Sequence, residues 1–410
     1  MDRSRRELLI AGGLGGTALL LLPREGQAQK KYDSGAGDTE IKIGNCNPYS
    51  GPASSYSTIG KCEAAFFRMV NQQGGINGRK ITFISYDDAY TPPKTVEQVR
   101  KLIESDQVLF LFNSLGTPTN TAVHKYINAK KVPQLFVGTG ATKWGDPEHF
   151  PWTIGFQPNY QSESRIYAAY ILEKHPNAKI GVLYQNDDYG KDYVKGLKDG
   201  LGAKAATMIV MEAPYETTDP TVDSQILNLK SSGADLLVTI AIAKFAAQAI
   251  RKVAEIGWKP VHILNNVATS VGIALTPAGL DNSKGILSTF WFKDPTDPSW
   301  KDDAGYKEWL AFMDKYYPEG DKSDSVNAYA YTVAQTLMQV LKQCGDDLTR
   351  DSIMKQAASL KDLELPMLLP GIKVNASATD FYPVKQMQMA RFDGERWVLF
   401  GPILTGAVHT

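Results

Sequence analysis

From residue 41 onward the chain alternates short apolar runs of strand character with longer stretches of helical period, and this alternation narrows the fold more than any other feature. "IKIGN" (41–45) is β-rich, "TIGKCEAAFFRMVNQQ" (58–73) has helical spacing and stops at "GGINGR", and "KITFISYDD" (80–88) alternates like a strand. A helical segment at 94–105, an apolar run at 108–112, a helix after Thr117 and a strand at 132–138 follow. The pattern restarts with helix 162–174, strand 178–184, helix 189–200, strand 207–215, helix 221–232, strand 234–242 and helix 244–256. Strands 261–266 and 285–292, helices 300–317, 325–344 and 349–359, and a hairpin at 384–400 turning at Asp393-Gly394 complete it. Strands separated by helices pair in parallel, with helices on both faces. More strands than one sheet of this length holds predict an α/β protein of two doubly wound sheets, with aromatic passages near 150–160 and 290–297 between lobes. Ligands of such sheets bind where loops leave the carboxyl ends of strands.

The 410 residues suffice for two or three domains, and 43% hydrophobic with 21% charged residues is an ordinary globular balance. Basic and acidic residues number 44 each, so no charge excess points to nucleic acid or to a cationic partner. Residues 1–28 read separately. Arg5-Arg6 precedes the apolar run "LLIAGGLGGTALLLL" (8–22), and "GQA" (26–28) offers small residues for cleavage. The run is short and glycine-rich for a membrane span, so a cleaved twin-arginine export signal is expected, and with it a periplasmic location. Gly12, Gly13, Gly15 and Gly16 then belong to the signal and not to a nucleotide fingerprint. Residues 29–38 read as a flexible leader. Cys46, Cys62 and Cys344 include no C-x-x-C pair, which argues against zinc and thioredoxin-type sites. An oxidising compartment permits a Cys46–Cys62 bridge; small buried thiols are the alternative.

The stretch "VLFLFNSLGTPTNTAVHKYI" (108–127) has the layout strand, loop, helix. Such a loop suits a phosphate, a nucleophilic serine or a carboxylate. "LGTPTN" lacks the P-loop lysine, "NSLG" lacks the glycine-flanked elbow, and the five histidines show no ligand spacing. The pairs Asp87-Asp88 and Asp187-Asp188 invite an acid–base reading, but neighbours on a strand point to opposite faces, and capping or solvation of the loop explains them better. No enzymatic activity is expected.

An export signal, then "IKIGNCNPYSGPASSYSTIG", "NQQGGINGRKITFISYDDAYTPP", "VPQLFVGTGATKW" and "YQNDDYGKDYVKGL", resemble in order the type I periplasmic binding proteins of the leucine/isoleucine/valine-binding branch. The resemblance spans the mature chain. It implies two α/β lobes joined by three crossover strands that close on a small-molecule ligand by a hinge motion. It also implies docking on a membrane ABC permease, a monomer, and no cofactor or metal. The lobes are expected at residues 39–157 plus 290–382 and at 158–289 plus 383–410.

The resemblance places the ligand's carboxylate at the 113–120 loop. There the unpaired N–H groups of the helix start favour an anion, Ser114, Thr117 and Thr119 offer hydroxyls, and Gly116 admits close backbone approach. Alternatively, Thr117 or Thr119 caps its own helix. The family also puts backbone and hydroxyl groups at Gly140, Ala141 and Thr142, an aromatic wall at Tyr56 and a second-lobe aromatic at Tyr189. Three departures stand out. The family's glutamate for an amino-acid ammonium is replaced at Asn265-Asn266-Val267. The tyrosine after the 234–242 strand is absent, with Lys244 nearby as a cationic contact or a solvated helix start. The usual disulfide is missing, with Tyr90 and Leu115 in its neighbourhoods. A buried ammonium without an anion is costly. The expected ligand is therefore a hydrophobic or aromatic carboxylate of benzoate or cinnamate type, in a pocket to which Trp144, Phe290 and Trp291 contribute; Phe290 and Trp291 alternatively pack the crossover between lobes. The alternatives are a branched-chain or other hydrophobic amino acid as ligand, and a ligand-sensing receptor subunit as role.

Overall fold

The computed structural model describes residues 30–406. The proposed export signal lies outside the described residues. The first lobe opens with β1 (Glu40–Asn47), α1 (Ser57–Gln72), β2 (Lys80–Asp87), α2 (Pro92–Arg100), β3 (Phe110–Phe112), α3 (Thr117–Ala129) and β4 (Gln134–Leu135). Its sheet is parallel throughout, in the order β2-β1-β3-β4. The buried strands are apolar on both faces, as helices on either side require; Val108 to Phe112 is fully enclosed.

The second lobe runs α4 (Tyr160–Lys174), β5 (Ile180–Gln185), α5 (Asp188–Leu201), β6 (Ile209–Tyr215), α6 (Asp223–Ser231), β7 (Leu236–Ile240), α7 (Ala243–Glu255), β8 (Val261–Leu264) and β9 (Leu287–Phe290). The chain then returns to the first lobe for α8 (Ala304–Tyr316), α9 (Val326–Cys344) and α10 (Arg350–Ala357). Phe66 of α1 meets Tyr331 of α9 at 5.5 Å and Phe312 of α8 at 6.0 Å between ring centroids, which fixes these helices on the first sheet. A third passage leads to β10 (Gln386–Phe392) and β11 (Trp397–Thr405). The second sheet has the order β11-β10-β9-β8-β7-β5-β6; the terminal hairpin joins it antiparallel and the rest is parallel. The two α/β lobes and the three passages between them agree with the sequence expectation.

One expectation changes, and the open choice between a Cys46–Cys62 bridge and buried thiols resolves to thiols. Lys31–Tyr32, read as part of a flexible leader, is a short strand paired with Asp347–Leu348. The anchor is Arg79, whose buried guanidinium donates to the Tyr32 hydroxyl (2.8 Å) and to Asp346 (2.5 Å). Leader sequence alone carries no sign of this, because the partner lies more than three hundred residues away. Cys46 and Cys62 are not bridged; all three cysteines are free and buried, and Cys62 donates to the Asn327 carbonyl. Burial pushes the Cys46 and Cys62 thiols well above their ordinary range.

Candidate functional site

Sheet order decides where the site is. In the first sheet the connections reverse direction between β1 and β3; in the second they reverse between β5 and β7. These switch points face each other, and the loops leaving β1, β3, β5 and β7 supply Tyr56, Gly116, Tyr189 and Ile242 to one cavity. Its free volume, taken at the centre of a water-sized sphere, is about 80 Å³, the scale of a small ligand.

The 113–120 loop, where the carboxylate is expected, meets this cavity through Gly116 and Thr117. Gly116 caps α3 at φ 104°, a conformation that suits glycine, and no side chain caps this helix. Pro118 has no N–H, and the Asn120 N–H already bonds the Gly116 carbonyl at 3.1 Å. The amides of Thr117 and Thr119 are left over from the first turn. The Thr117 hydroxyl lies 2.6 Å from that of Thr139, which also lines the cavity.

Ser114 and Thr119 do not reach the wall. Ser114 Oγ accepts the Cys46 N–H (3.1 Å), and Thr119 Oγ1 donates to the carbonyls of Leu115 (2.6 Å) and Gly116 (2.9 Å), so it serves its own helix. Gly140, Ala141 and Thr142 also stand behind the wall. The Gly140 carbonyl accepts the Tyr160 N–H at 2.8 Å, buried Ala141 passes its carbonyl to Trp144, and the Thr142 amide and hydroxyl donate to Asp192 at 2.8 and 2.9 Å. Trp144 packs its ring 5.0 Å from His124, away from the cavity. The strand before these residues is shorter than the sequence suggests, so the register of the following loop turns them aside.

On the second lobe, Tyr189 lines the cavity from the first turn of α5. Asn265 does not line it; its amide donates to the Tyr189 hydroxyl at 2.6 Å and its carbonyl accepts the Ala241 N–H, which makes it the positioner of Tyr189. Asn266 and Trp291 are both at the wall, joined by Trp291 Nε1 donating to Asn266 Oδ1 at 3.3 Å. Phe290 points the other way and packs 5.2 Å from Trp397. Lys244 is exposed outside the cavity, as a solvated helix start.

Sequence reading missed Tyr90, Thr139, Tyr160 and Tyr329 as wall residues. The signal for Tyr90 was present: it follows a strand end, as Tyr189 does. Tyr329 gave none, because it lies within α9 and reaches the cavity only after the chain has returned to the first lobe. Its hydroxyl donates to Asn113 Oδ1 at 2.6 Å, and the residue lines the cavity.

The cleft is closed. Tyr56 donates to the Val267 carbonyl (2.8 Å) and accepts the Ala243 N–H (3.0 Å), both on the opposite lobe. Lys143 pairs with Asp188 at 2.5 Å, and Asp324 accepts from Thr58 of one lobe (2.9 Å) and Ser270 of the other (2.8 Å). Among the described residues, no charged side chain lines the cavity. The N-termini of α1, α3, α7 and α9 converge on it, and none is capped by its own N-cap side chain. Their dipoles favour negative charge. Acids stand one layer back: Asp88 and Asp187 on the Tyr90 and Tyr189 amides, and Asp324 and Glu163 behind Ser270 and Asn266. Burial pushes Asp324 up to about 6, against the hydrogen bonds from Ser270 and Thr58. Burial likewise pushes Glu163 up to about 7, although Tyr167, Tyr193 and the Asn266 amide all donate to it.

Residues 40–396 match the family model described as periplasmic binding protein. The chain belongs to that family. Within it, similarity is to the type I, leucine/isoleucine/valine-binding branch. The Leu/Ile/Val-binding protein homolog 1 of Brucella abortus (strain 2308) is 26% identical over 318 residues, covering 76% of this chain and 81% of that protein. A branched-chain amino acid ABC transporter protein from Thermus thermophilus, solved with bound valine, superposes with TM-score 0.80 at 15% identity, covering 91% and 98% of the two chains. A fatty acid ABC transporter substrate-binding protein from Thermomonospora curvata gives TM-score 0.74 at 21% identity, covering 92% and 95%. The structural likenesses establish the fold, and the family is one of small-molecule binding proteins.

Proposed function

We propose that this periplasmic binding protein closes on a small aromatic or hydrophobic carboxylate of benzoate or cinnamate type and delivers it to a membrane ABC permease. One observation carries the reading: an uncharged, tyrosine-rich cavity at four helix N-termini. The Thr117 amide left over at the start of α3, beside the paired hydroxyls of Thr117 and Thr139, suits a carboxylate, and Tyr189, Tyr329 and Trp291 suit a ring. No acid lines the wall to meet an ammonium, which would be buried unpaired. The small volume disfavours a long acyl chain, although the fatty-acid-binding neighbour shows that the fold is used for an acid without an ammonium. Export as a periplasmic protein through the twin-arginine signal, and the lobe boundaries given above, belong to the same proposal.

A hydrophobic amino acid is the second reading. Asp324 lies one hydroxyl behind the wall at Ser270, and the named relatives are Leu/Ile/Val-binding homologues. A thermal-shift panel separates the two, because a ligand that binds only the native state raises Tm. Benzoate, 4-hydroxybenzoate and coumarate are expected to raise it; a rise with leucine or valine and none with the acids would reverse the choice.

A further inference from the structure

Tyr90 stands between the ligand cavity and an exposed groove. Among the described residues it is the one that lines both. The groove runs between Pro52 and Thr91 of the first lobe and Thr217 and Lys244 of the second, and Lys244 is its one charged lining residue. Among the described residues Lys244 forms no ion pair; its ammonium rests 4.9 Å from the Phe245 ring centroid.

The ring is held in place by an unusual backbone. Ala89 and Tyr90 have φ 51° and 57°, a region that a bulky side chain rarely adopts. Asp87 accepts the Ala89 N–H at 2.9 Å and Asp88 the Tyr90 N–H at 3.0 Å, which forces the turn. The result presses the ring onto the carboxylate seat: a Cβ at Gly116 would stand 2.6 Å from Tyr90 Cε2. The hydroxyl accepts from Gln185 across the cleft at 3.3 Å, so closure locks the ring there.

We infer that Tyr90 sets the size of the head group: its ring seals the carboxylate seat from the groove, so that the site takes acids with one carboxylate and refuses those with a second on the neighbouring carbon. The inference rests on the carboxylate reading above. Inside the sealed cavity a second carboxylate meets no cation, and burying it unpaired is costly. With the ring removed, the seat opens toward water and Lys244, and the groove becomes the place for that second carboxylate.

The test uses 3-phenylpropanoate and phenylsuccinate, which differ by one carboxylate, with affinities from calorimetry on the exported chain. Tyr90→Gly removes the ring and suits the left-handed backbone. Tyr90→Asn, also tolerant of that backbone, is the second ringless variant should glycine fail to fold. Wild type is expected to prefer the monoacid. Either ringless variant should shift the affinity ratio at least tenfold toward the diacid, Lys244→Ala added to it should cancel most of that gain, and Tyr90→Phe should leave the ratio unchanged. A wild type that binds the monoacid, with ringless variants keeping its ratio, overturns the gate and leaves the ligand reading standing. A wild type that binds neither these acids nor those of the thermal-shift panel overturns both.

Discussion

The two lobes each bring a tyrosine to the cavity from a strand end marked by two aspartates, Asp87-Asp88 before Tyr90 and Asp187-Asp188 before Tyr189. The local device is the same: Asp88 accepts the Tyr90 N–H at 3.0 Å and Asp187 the Tyr189 N–H at 2.9 Å. The outcomes differ. Tyr189 enters the first turn of α5, takes the Asn265 amide on its hydroxyl, and packs its ring 5.4 Å from Tyr160 and 5.6 Å from Tyr193, all within its own lobe. Tyr90 sits on a left-handed turn, and its hydroxyl meets Gln185 only across the closed cleft. One tyrosine is organised before the ligand arrives; the other gains its polar partner when the lobes shut. Preorganisation of the first lowers the cost of ordering on binding.

The largest expected effect tests the scaffold under Tyr189. Tyr193 ties that ring cluster to Glu163, whose carboxyl is raised to about 7 by burial. Its folded value stands above the ordinary glutamate one, so in the window between about 4.5 and 7 the native state keeps a proton that the unfolded chain has released. This contribution to stability is full below the unfolded value and is lost as pH rises through about 7. Wild type should therefore lose up to about 3 kcal/mol relative to Glu163→Gln between pH 5 and pH 8, read by urea denaturation. A difference that stays flat with pH would show that Glu163 does not change charge there.

Tyr189→Ala comes next. It removes a preorganised aromatic from the centre of the site and should weaken ligand affinity by about thirtyfold, roughly 2 kcal/mol. Calorimetry that finds less than a threefold change would remove Tyr189 from the ligand wall. The capping aspartates follow, because they separate the lobes directly. Asp187→Ala costs α5 its cap and should lower folding stability by about 1 kcal/mol with little change in affinity. Asp88→Ala frees the Tyr90 turn and should instead raise the ligand's dissociation rate by stopped-flow. Equal effects of both on stability and on rate would erase the proposed distinction. Tyr90→Phe is the smallest. It loses only the long contact to Gln185, and affinity should fall by no more than about threefold.

Much of this was legible along the chain. Periodicity alone located β1, α1, β2, β5, α5 and β7 to within a few residues, because each buries an apolar face set by its own spacing. Gly116 and Thr117 were readable from the strand–loop–helix layout, and Tyr56 and Tyr189 from the positions that the family resemblance gives them; all four line the cavity. Ser114, Thr119 and Thr142 have the right chemistry at nearly the right place, but Ser114 accepts the Cys46 amide of the adjoining strand, Thr119 bonds its own helix backbone and Thr142 bonds Asp192. Asn265 and Asn266 are adjacent and alike, and only the turn after β8 sends the first behind Tyr189 and the second to the wall. Tyr329 arrives from a distant helix and Asp324 from the loop before it, which no local pattern announces.

The sequence by itself determined the two parallel-sheet lobes, the strand ends that form the cleft, and the lack of an acid at residues 265–267, because these follow from side-chain periodicity and identity. Only the tertiary structure decided which hydroxyls face the cavity and which serve the scaffold, that the strand at Lys31–Tyr32 is tied down by Arg79, and that Tyr90 lines the cavity beside Gly116. Those outcomes depend on the contact of segments remote in sequence, and the close packing of an interior fixes such contacts more finely than any local preference can.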